Sequence, residues 1–342
     1  MNSEIAETLV EFAEGVGPAL RGVEARDVLE QLEQRYGDLL SAMQWFIVRG
    51  RTDESLRLAS SLVPFWMATK RLDECSGWFE KALGLPGGDD AHRGRALFDA
   101  GYLAFWQGDD ARSSSLQKQA LTLGRQTDNP TVTALALVGL ARIALRTDVE
   151  EARRLCREAL AVTEGTDDQA GRSSAMHVLG VAAQMAGDFL EAREVMSRRI
   201  ALAREHGNLA TVSSEAGNLS MVERQLGNLD EAEALSREAL DIAYRRGDEL
   251  AVAWMFNGLA AVAADRGEFS RAAALIGIAD AGMEAAGGAW PPDELVHYER
   301  TVATLNGAMA SAEFEWVRAA GRAMTTREAV DFALGTGPAS AT

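Results

Sequence analysis

Cysteine and histidine are scarce in this sequence of 342 residues, which contains two and four of them respectively. Cys75 and Cys156 stand far apart in helix-forming stretches and outside any paired motif, so we expect reduced core thiols rather than a disulfide or a redox centre. The four histidines show neither His-x-x-x-His nor Cys/His ligand spacing. They are His92, His177, His206 and His297. No metal site is therefore predicted.

Basic residues are outnumbered, because 34 lysines and arginines face 51 aspartates and glutamates, which gives a net charge of −17. A surface of that sign repels phosphate backbones, so direct binding of nucleic acid is not expected. The charge balance is compatible with a basic peptide, a cationic segment of a larger protein or an uncharged ligand.

Long apolar runs are absent as well. The richest stretch, Thr133 to Leu145, is interrupted by Arg142, and no segment reaches the 18 uninterrupted apolar residues of a membrane-spanning helix. Residues Met1 to Glu14 carry acidic side chains and no apolar segment of signal-peptide length. The sequence predicts a cytoplasmic protein without a membrane partner.

Motifs that carry chemistry are missing from the sequence. It contains no Gly-x-x-x-x-Gly-Lys-Ser/Thr phosphate loop, no Gly-x-Ser-x-Gly turn and no basic helix pair of a DNA reader. The many carboxylates lie chiefly in turns and second helices, where a solvated face explains them. We therefore predict a protein that is not an enzyme and that uses no cofactor.

Alternating β-branched runs are nearly absent, whereas the strong helix formers alanine, leucine, glutamate and arginine dominate almost every segment. A repeat is superimposed on this helical pattern. Its reference points, at steps of 39, 40, 40 and 40 residues, are Gly108, Thr147, Gly187, Gly227 and Gly267. Repeats of this length without strand signals are typical of stacked helix pairs, so we predict an all-α, right-handed α-solenoid of antiparallel helix pairs.

Small residues recur five positions after each reference point. They are Ser113, Ala152, Ala192, Ala232 and Ala272. Twelve positions after it, four alanines and Arg199 share the same helical face, which we expect to be buried. Close helix crossings need small side chains, so Ala232→Phe is expected to be destabilising, and the same change at Glu233 to be nearly silent.

Four segments are predicted along the chain. Residues 1–90 form an N-terminal helical segment with a first degenerate repeat, 91–287 the regular array, 288–335 the capping helices, and 336–342 a disordered tail. Asn129-Pro130 and the capping box Thr325-Thr326-Arg327-Glu328 mark two of the helix starts.

The order of small residue, glycine turn and alanines five and twelve residues on resembles the tetratricopeptide repeat (TPR), in a form of forty residues, over roughly residues 91 to 287. The chain departs from that pattern in the first helix, where the usual aromatic residue is Ala104, Ile143, Ala183, Glu223 or Ala263. The resemblance implies helix pairs whose first helices line a concave groove.

The flanking segments are similar to the helical region of large bacterial ATP-binding transcriptional regulators of the LuxR and antibiotic-regulator (SARP) types. The similarity rests on Glu30 to Trp45, Leu72 to Leu83, Arg271 to Gly277, Pro291-Pro292, Tyr298 to Arg300 and Gly321 to Leu334. It implies a sensor or interaction module that works beside a nucleotide-switch domain and a DNA-binding domain, neither of which has its motifs in this sequence.

Positions ten, six and three residues before the reference points form one stripe on the first helices. Together with the residues two before those points, the stripe supplies candidate groove contacts. They are Phe98, Tyr102, Phe105, Trp106, His177, Gln184, Met221, Arg224, Gln225 and Asn257. The alternative for the aromatic members is that they pack as core where the N-terminal helices meet the array.

Two functions follow as hypotheses. The first is a non-catalytic TPR module associated with transcriptional regulation, which receives a protein segment or a small effector in the concave groove. The alternative is a structural scaffold that forms a homodimer through aromatic N-terminal helices, including Trp45, Phe65 and Trp78, or through the terminal cap.

Overall fold

The structure is a computed structural model that describes residues 1–285 and 292–335. These residues form seventeen α-helices and one 3₁₀ turn, Ala19–Arg21, without a β-strand. The all-α fold class is thus confirmed. The chain divides into two compact units, Met1–Val195 and Met196–Thr342, and the division falls within the tenth helix. The boundaries expected at residues 90 and 287 stay predictions, and the tail predicted at 336–342 lies outside the described residues.

The first unit contains nine complete helices and the start of a tenth. They are α1 Ser3–Val16, α2 Ala25–Val48, α3 Thr52–Ala68, α4 Leu72–Leu83, α5 Asp90–Trp106, α6 Asp110–Gln126, α7 Pro130–Ala144, α8 Val149–Val162, α9 Gln169–Met185 and α10 Phe189–Glu205. Consecutive helices pack on each other from α5 to α9, and α7 also packs against α5 and α9. The first helices of successive pairs therefore lie side by side.

The second unit continues with seven complete helices. They are α11 Leu209–Gln225, α12 Leu229–Arg246, α13 Glu249–Asp265, α14 Phe269–Ala285, α15 Pro292–Ala308, α16 Ser311–Arg322 and α17 Thr326–Leu334. The pairs α11–α12 and α13–α14 repeat the arrangement of the first unit, and α16 packs along α14. No helix in residues 1–285 or 292–335 combines the length and apolar character that a membrane crossing requires.

Turn chemistry explains where the helices end. Gly187 and Gly227 have φ angles of 77° and 82°, in the left-handed region that side chains with a Cβ rarely adopt. The next residue then starts the following helix; Asp188, for example, accepts a hydrogen bond from the Glu191 amide at 3.2 Å. The predicted starts at Asn129 and Thr325 are confirmed, since both cap their helices through side-chain oxygens.

The small residues of the repeat lie where the helices cross, as predicted. Ser113 is 1% exposed and the four alanines of the column are fully buried. Arg199, which replaces the alanine twelve positions on, is accommodated by an ion pair with Glu215, whose side chain is fully buried. A charged residue at a core position therefore keeps its place through a buried partner.

Most of the N-terminal aromatic residues belong to the core of the first unit. Phe46, Phe65, Trp66 and Phe79 are fully buried, and the Trp66 indole donates a hydrogen bond to the Tyr36 hydroxyl at 2.8 Å. Trp45 and Trp78 are partly buried and pack against the same cluster. A homodimer contact through Phe65 is therefore wrong, since this side chain has no exposed area, whereas a contact through Trp45, Trp78 or the terminal cap stays a prediction.

The closing helices of the second unit are joined by a polar cluster. The buried Asp280 carboxylate on α14 accepts a hydrogen bond from the Tyr298 hydroxyl on α15 at 2.8 Å and from Arg318 Nε on α16 at 2.8 Å. Arg318 Nη2 also donates to the Tyr298 oxygen at 3.0 Å. The tyrosine that carried part of the sequence resemblance thus connects three helices.

Burial, together with the hydrogen bond to Asp280, raises the pKa of Tyr298 to about 12. The unfolded chain releases this proton near pH 10 and the folded chain holds it to about pH 12, so the contribution of Tyr298 to stability is present below pH 10 and lost as pH rises through that window. Burial also raises the pKa of Tyr36 to about 12. We expect Tyr298→Phe to reduce the amplitude of the tyrosinate absorbance step near pH 12, because one of the tyrosines with a raised pKa is removed; an unchanged amplitude would contradict the raised pKa of Tyr298.

Candidate functional site

An aromatic ladder runs along α5 in the first unit. Phe98, Tyr102 and Trp106 are four residues apart and share one helical face. The rings of Phe98 and Tyr102 stack at 6.1 Å between centroids, and those of Tyr102 and Trp106 meet edge to face at 6.0 Å. Phe98 is buried, whereas Trp106 is 52% exposed. The ladder therefore rises from the core to the surface.

Two arginines of the next first helix and its turn lie over aromatic rings of α5, one on the ladder and one on the neighbouring Phe105. Arg142 places its guanidinium 5.3 Å from the centre of the Tyr102 ring, and Arg146 lies 4.3 Å from that of Phe105. Arg146 also forms an ion pair with Asp110 at 2.7 Å. Cation–π contacts of this kind hold rings and guanidinium groups in fixed relative positions.

We call this surface the aromatic–arginine patch. It consists of Tyr102, Phe105, Trp106, Arg142 and Arg146. Tyrosine, tryptophan and arginine are the residue types that contribute most to binding at protein interfaces. A partly exposed aromatic cluster with ordered cations is therefore suited to an extended chain that presents apolar and polar groups together.

The two arginines were not among the sequence candidates. Six and three residues before Thr147, the predicted stripe contains Ala141 and Ala144. It therefore does not include the neighbouring Arg142 and Arg146. The signal was present in the sequence, since two arginines four residues apart at the end of an apolar helix share one face. Only the packing of α7 on α5 shows that this face meets the aromatic rings.

The equivalent positions on α9 are partly open. His177 and Gln184 are half-buried, while Met185 is 56% exposed. Met185 stands at the repeat position of Trp106, so the two large exposed side chains follow the same register. Solitary exposed apolar residues are common on protein surfaces, but repetition at one position of the array favours a shared use.

The candidates in the second unit have a different character. Asn257 is 1% exposed, so the expectation that it lines an open groove is wrong. The Arg224 side chain is 7% exposed and pairs with Asp265 at 3.0 Å, and burial lowers the pKa of its guanidinium although the Asp265 charge opposes this. Met221 is half-buried and Gln225 is exposed. Arg224 and Asn257 thus belong to the packing of α11 and α13.

Nothing among the described residues gathers three histidine, cysteine, aspartate or glutamate side chains as ligands for a metal ion. The two thiols are free and fully buried, as the sequence predicted. Burial raises the pKa of Cys75 above its usual range and that of Cys156 to about 12, which keeps both in the unreactive protonated form at neutral pH.

Comparison with known families gives a match over more than half of the chain. Residues 143–328 fit the model of the MalT-like TPR region. No curated protein matches the sequence. The family match agrees with the helix pairs and with the resemblance found in the sequence.

Solved structures with the same fold have low sequence identity. Aspartyl phosphate phosphatase F from Bacillus subtilis is 14% identical, with a TM-score of 0.53 over 95% of this chain and 96% of its own. A Rap protein complexed with competence and sporulation factor is 14% identical, with a TM-score of 0.56 over 94% and 100%.

A third similar structure is a multidomain ATPase. It is the STAND protein with a tetratricopeptide repeat sensor from Pyrococcus horikoshii, 10% identical, with a TM-score of 0.54 over 94% of this chain and 55% of that protein. At such identities the similarities establish the fold alone, which is that of tetratricopeptide arrays.

Proposed function

Because this chain belongs to the family of the MalT-like TPR region, we propose that it is a non-catalytic sensor module of a cytoplasmic transcriptional regulator, which binds an extended protein segment at the aromatic–arginine patch. The fold and the family support the first part of this proposal, since the chain is a TPR-type helical module of the kind that mediates protein interactions. The patch and the regulatory setting are the proposal.

The observation that carries the proposal is the exposure of one large ring, Trp106, held in a fixed arrangement by two half-buried rings. Trp106 is 52% exposed, yet it is oriented by edge contacts with Tyr102 and Phe105 at 6.0 and 5.8 Å. A ring that is already ordered loses little conformational entropy when it is covered by a partner. The location on α5, a first helix, agrees with the groove-lining role that first helices have in tetratricopeptide arrays.

The regulatory setting is supported by the sequence resemblance to the LuxR and antibiotic-regulator types and by the similar fold of the STAND protein, whose own helical array is described as a sensor. The Rap structure is of a protein in complex with a competence and sporulation factor. The alternative occupant of the same patch is a small effector. Mass spectrometry of the material that co-purifies with the native protein would distinguish a small effector from a protein segment.

The test compares two exposed tryptophans. Trp106→Ala removes the outer ring of the patch, and Trp316→Ala removes a tryptophan of α16 that is 74% exposed and lies in the other unit. We expect Trp106→Ala to reduce capture of the specific partner about tenfold or more in quantitative pull-downs, because a central tryptophan typically contributes about 2 kcal/mol or more. Trp316→Ala should leave capture unchanged.

Both variants should keep the helical circular dichroism and the thermal stability of the parent, since both rings are largely exposed. A photo-cross-linking residue at position 106 should label the same partner, and one at position 316 should not. Equal capture by the two variants, or cross-linking from both positions, would contradict binding at the patch.

A further inference from the structure

A cavity of about 260 Å³ lies between α1, α3 and α5 in the first unit. Its walls include charged and hydroxyl side chains that the proposed function does not use. They are Glu14, Arg21, Arg57, Ser60, His92 and Arg95. The aromatic–arginine patch contributes none of the lining residues, so this is a separate site.

Arginine is the most frequent charged residue in the cavity wall, in a protein whose sequence carries a net charge of −17. Three arginines line it against one carboxylate, Glu14. Arg57 already neutralises that carboxylate through two hydrogen bonds, Nε to Oε1 at 2.8 Å and Nη2 to Oε2 at 2.6 Å. Arg95 pairs with Asp99, which lies outside the lining, whereas the charge of Arg21 has no acidic partner among the described residues.

Arg21 is exposed and forms no ion pair within residues 1–285 and 292–335. Arg95 donates from Nε to the buried Asp99 at 2.8 Å, and Asp168 adds a weaker attraction to its charge. Its two terminal nitrogens form no ion pair in the described part of the chain. Arginine presents several donors in a fork that matches carboxylate and phosphate oxygens, so these nitrogens remain available to an anion.

Ser60 adds a hydroxyl to the same wall. Its Oγ is buried and finds no hydrogen-bond partner in the described structure. A buried hydroxyl without a partner costs free energy that a bound acceptor would recover. The neighbouring Ser61 hydroxyl, by contrast, is satisfied by the Arg57 carbonyl at 2.8 Å.

The size of the cavity limits the occupant. Sites for drug-sized ligands have volumes of about 300–1,000 Å³, so a cavity below that range suits a smaller molecule. The negative charge of the rest of the protein is screened over about 8 Å at physiological ionic strength, so the local arginines determine the field that a bound molecule experiences.

We propose that this cavity binds a small organic anion with a carboxylate or phosphate group, held by Arg21 and Arg95 with the hydroxyl of Ser60. The site is independent of the aromatic–arginine patch. It gives the first unit a place for an anionic metabolite, whichever macromolecular partner the patch receives.

The test uses the full chain at physiological ionic strength and isothermal titration with citrate, glycerol 3-phosphate and glycerol. We expect at least one of the two anions to bind, and the neutral glycerol not to bind. Arg21→Gln should lower the affinity for the anion about tenfold, the loss typical of a charged hydrogen bond. The substitution is made at an exposed side chain without an ion pair in the described residues, so the fold should be retained.

The matched control is Arg26→Gln, which removes the same charge from an exposed position nearby that does not line the cavity. It should change the affinity less than twofold. Binding of citrate alone would identify a carboxylate site, and binding of glycerol 3-phosphate alone a phosphate site. The proposal is overturned if neither anion binds, if glycerol binds equally well, or if the two variants weaken binding to the same extent.

Discussion

Replacing Gly277 with alanine is expected to lower the free energy of unfolding of the second unit by about 3 kcal/mol, the upper part of the range for an overpacked core. A Cβ atom at this position would lie 2.0 Å from the Arg318 carbonyl oxygen. The reciprocal contact is as close, since a Cβ at Gly321 would lie 2.1 Å from the Ala274 carbonyl oxygen. Both obstacles are helix backbone, which cannot move aside as a flexible side chain can.

Urea unfolding followed by circular dichroism measures this effect, and Gly307→Ala is its control. Gly307 lies within α15 and is exposed, and a Cβ atom added there would meet no neighbouring atom within 4 Å. Alanine at this position should be neutral or stabilising by up to about 1 kcal/mol, because it restricts the unfolded chain. A Gly277→Ala variant as stable as Gly307→Ala would show that α14 and α16 do not cross at these glycines.

Ala232→Phe is expected to destabilise the same unit by about 2 to 3 kcal/mol, because the fully buried alanine of α12 leaves no room for a ring. Helices α11 and α12 are also held close together at this point, because the Ser220 hydroxyl of α11 donates a hydrogen bond to the Ala232 carbonyl at 2.7 Å. Ala234→Phe is the matched control, since Ala234 lies two residues further along α12 and is exposed. Chemical denaturation of both variants gives the comparison, and equal losses would mean that the repeat register is misassigned.

Glu233 shows why the control proposed from the sequence alone is wrong. The repeat places it on the outer face, yet it is 9% exposed and accepts contacts from Arg237 at 2.8 Å, Arg271 at 2.7 Å and Arg266 at 3.2 Å. Burial alone would raise its pKa, but the Arg271 hydrogen bond and the three positive charges outweigh burial and lower it. A phenylalanine at this position would break three ion pairs.

Arg224 and Asn257, which the sequence analysis placed in the groove, are likewise buried by contacts that the repeat does not reveal. The spacing of the repeat correctly puts Arg224 and Asn257 on first helices, but spacing carries no information about which atoms cover them. Asp265 at the end of α13 pairs with Arg224, and Asn257 is enclosed by its own unit. Substitution of these two residues would therefore perturb stability as well as any binding, which makes Trp106 the better probe.

The sequence by itself determined the helical repeat, the small residues at its crossings, the capping residues and the buried thiols, because each depends on local propensity or on a period that the chain repeats. The tertiary structure alone decided the contacts between residues distant in sequence. Arg142 and Arg146 on the rings of α5, the glycine crossing of α14 with α16, and the arginines around one cavity all depend on how helices pack. Packing is set by the shapes of many side chains at once, which no single period encodes.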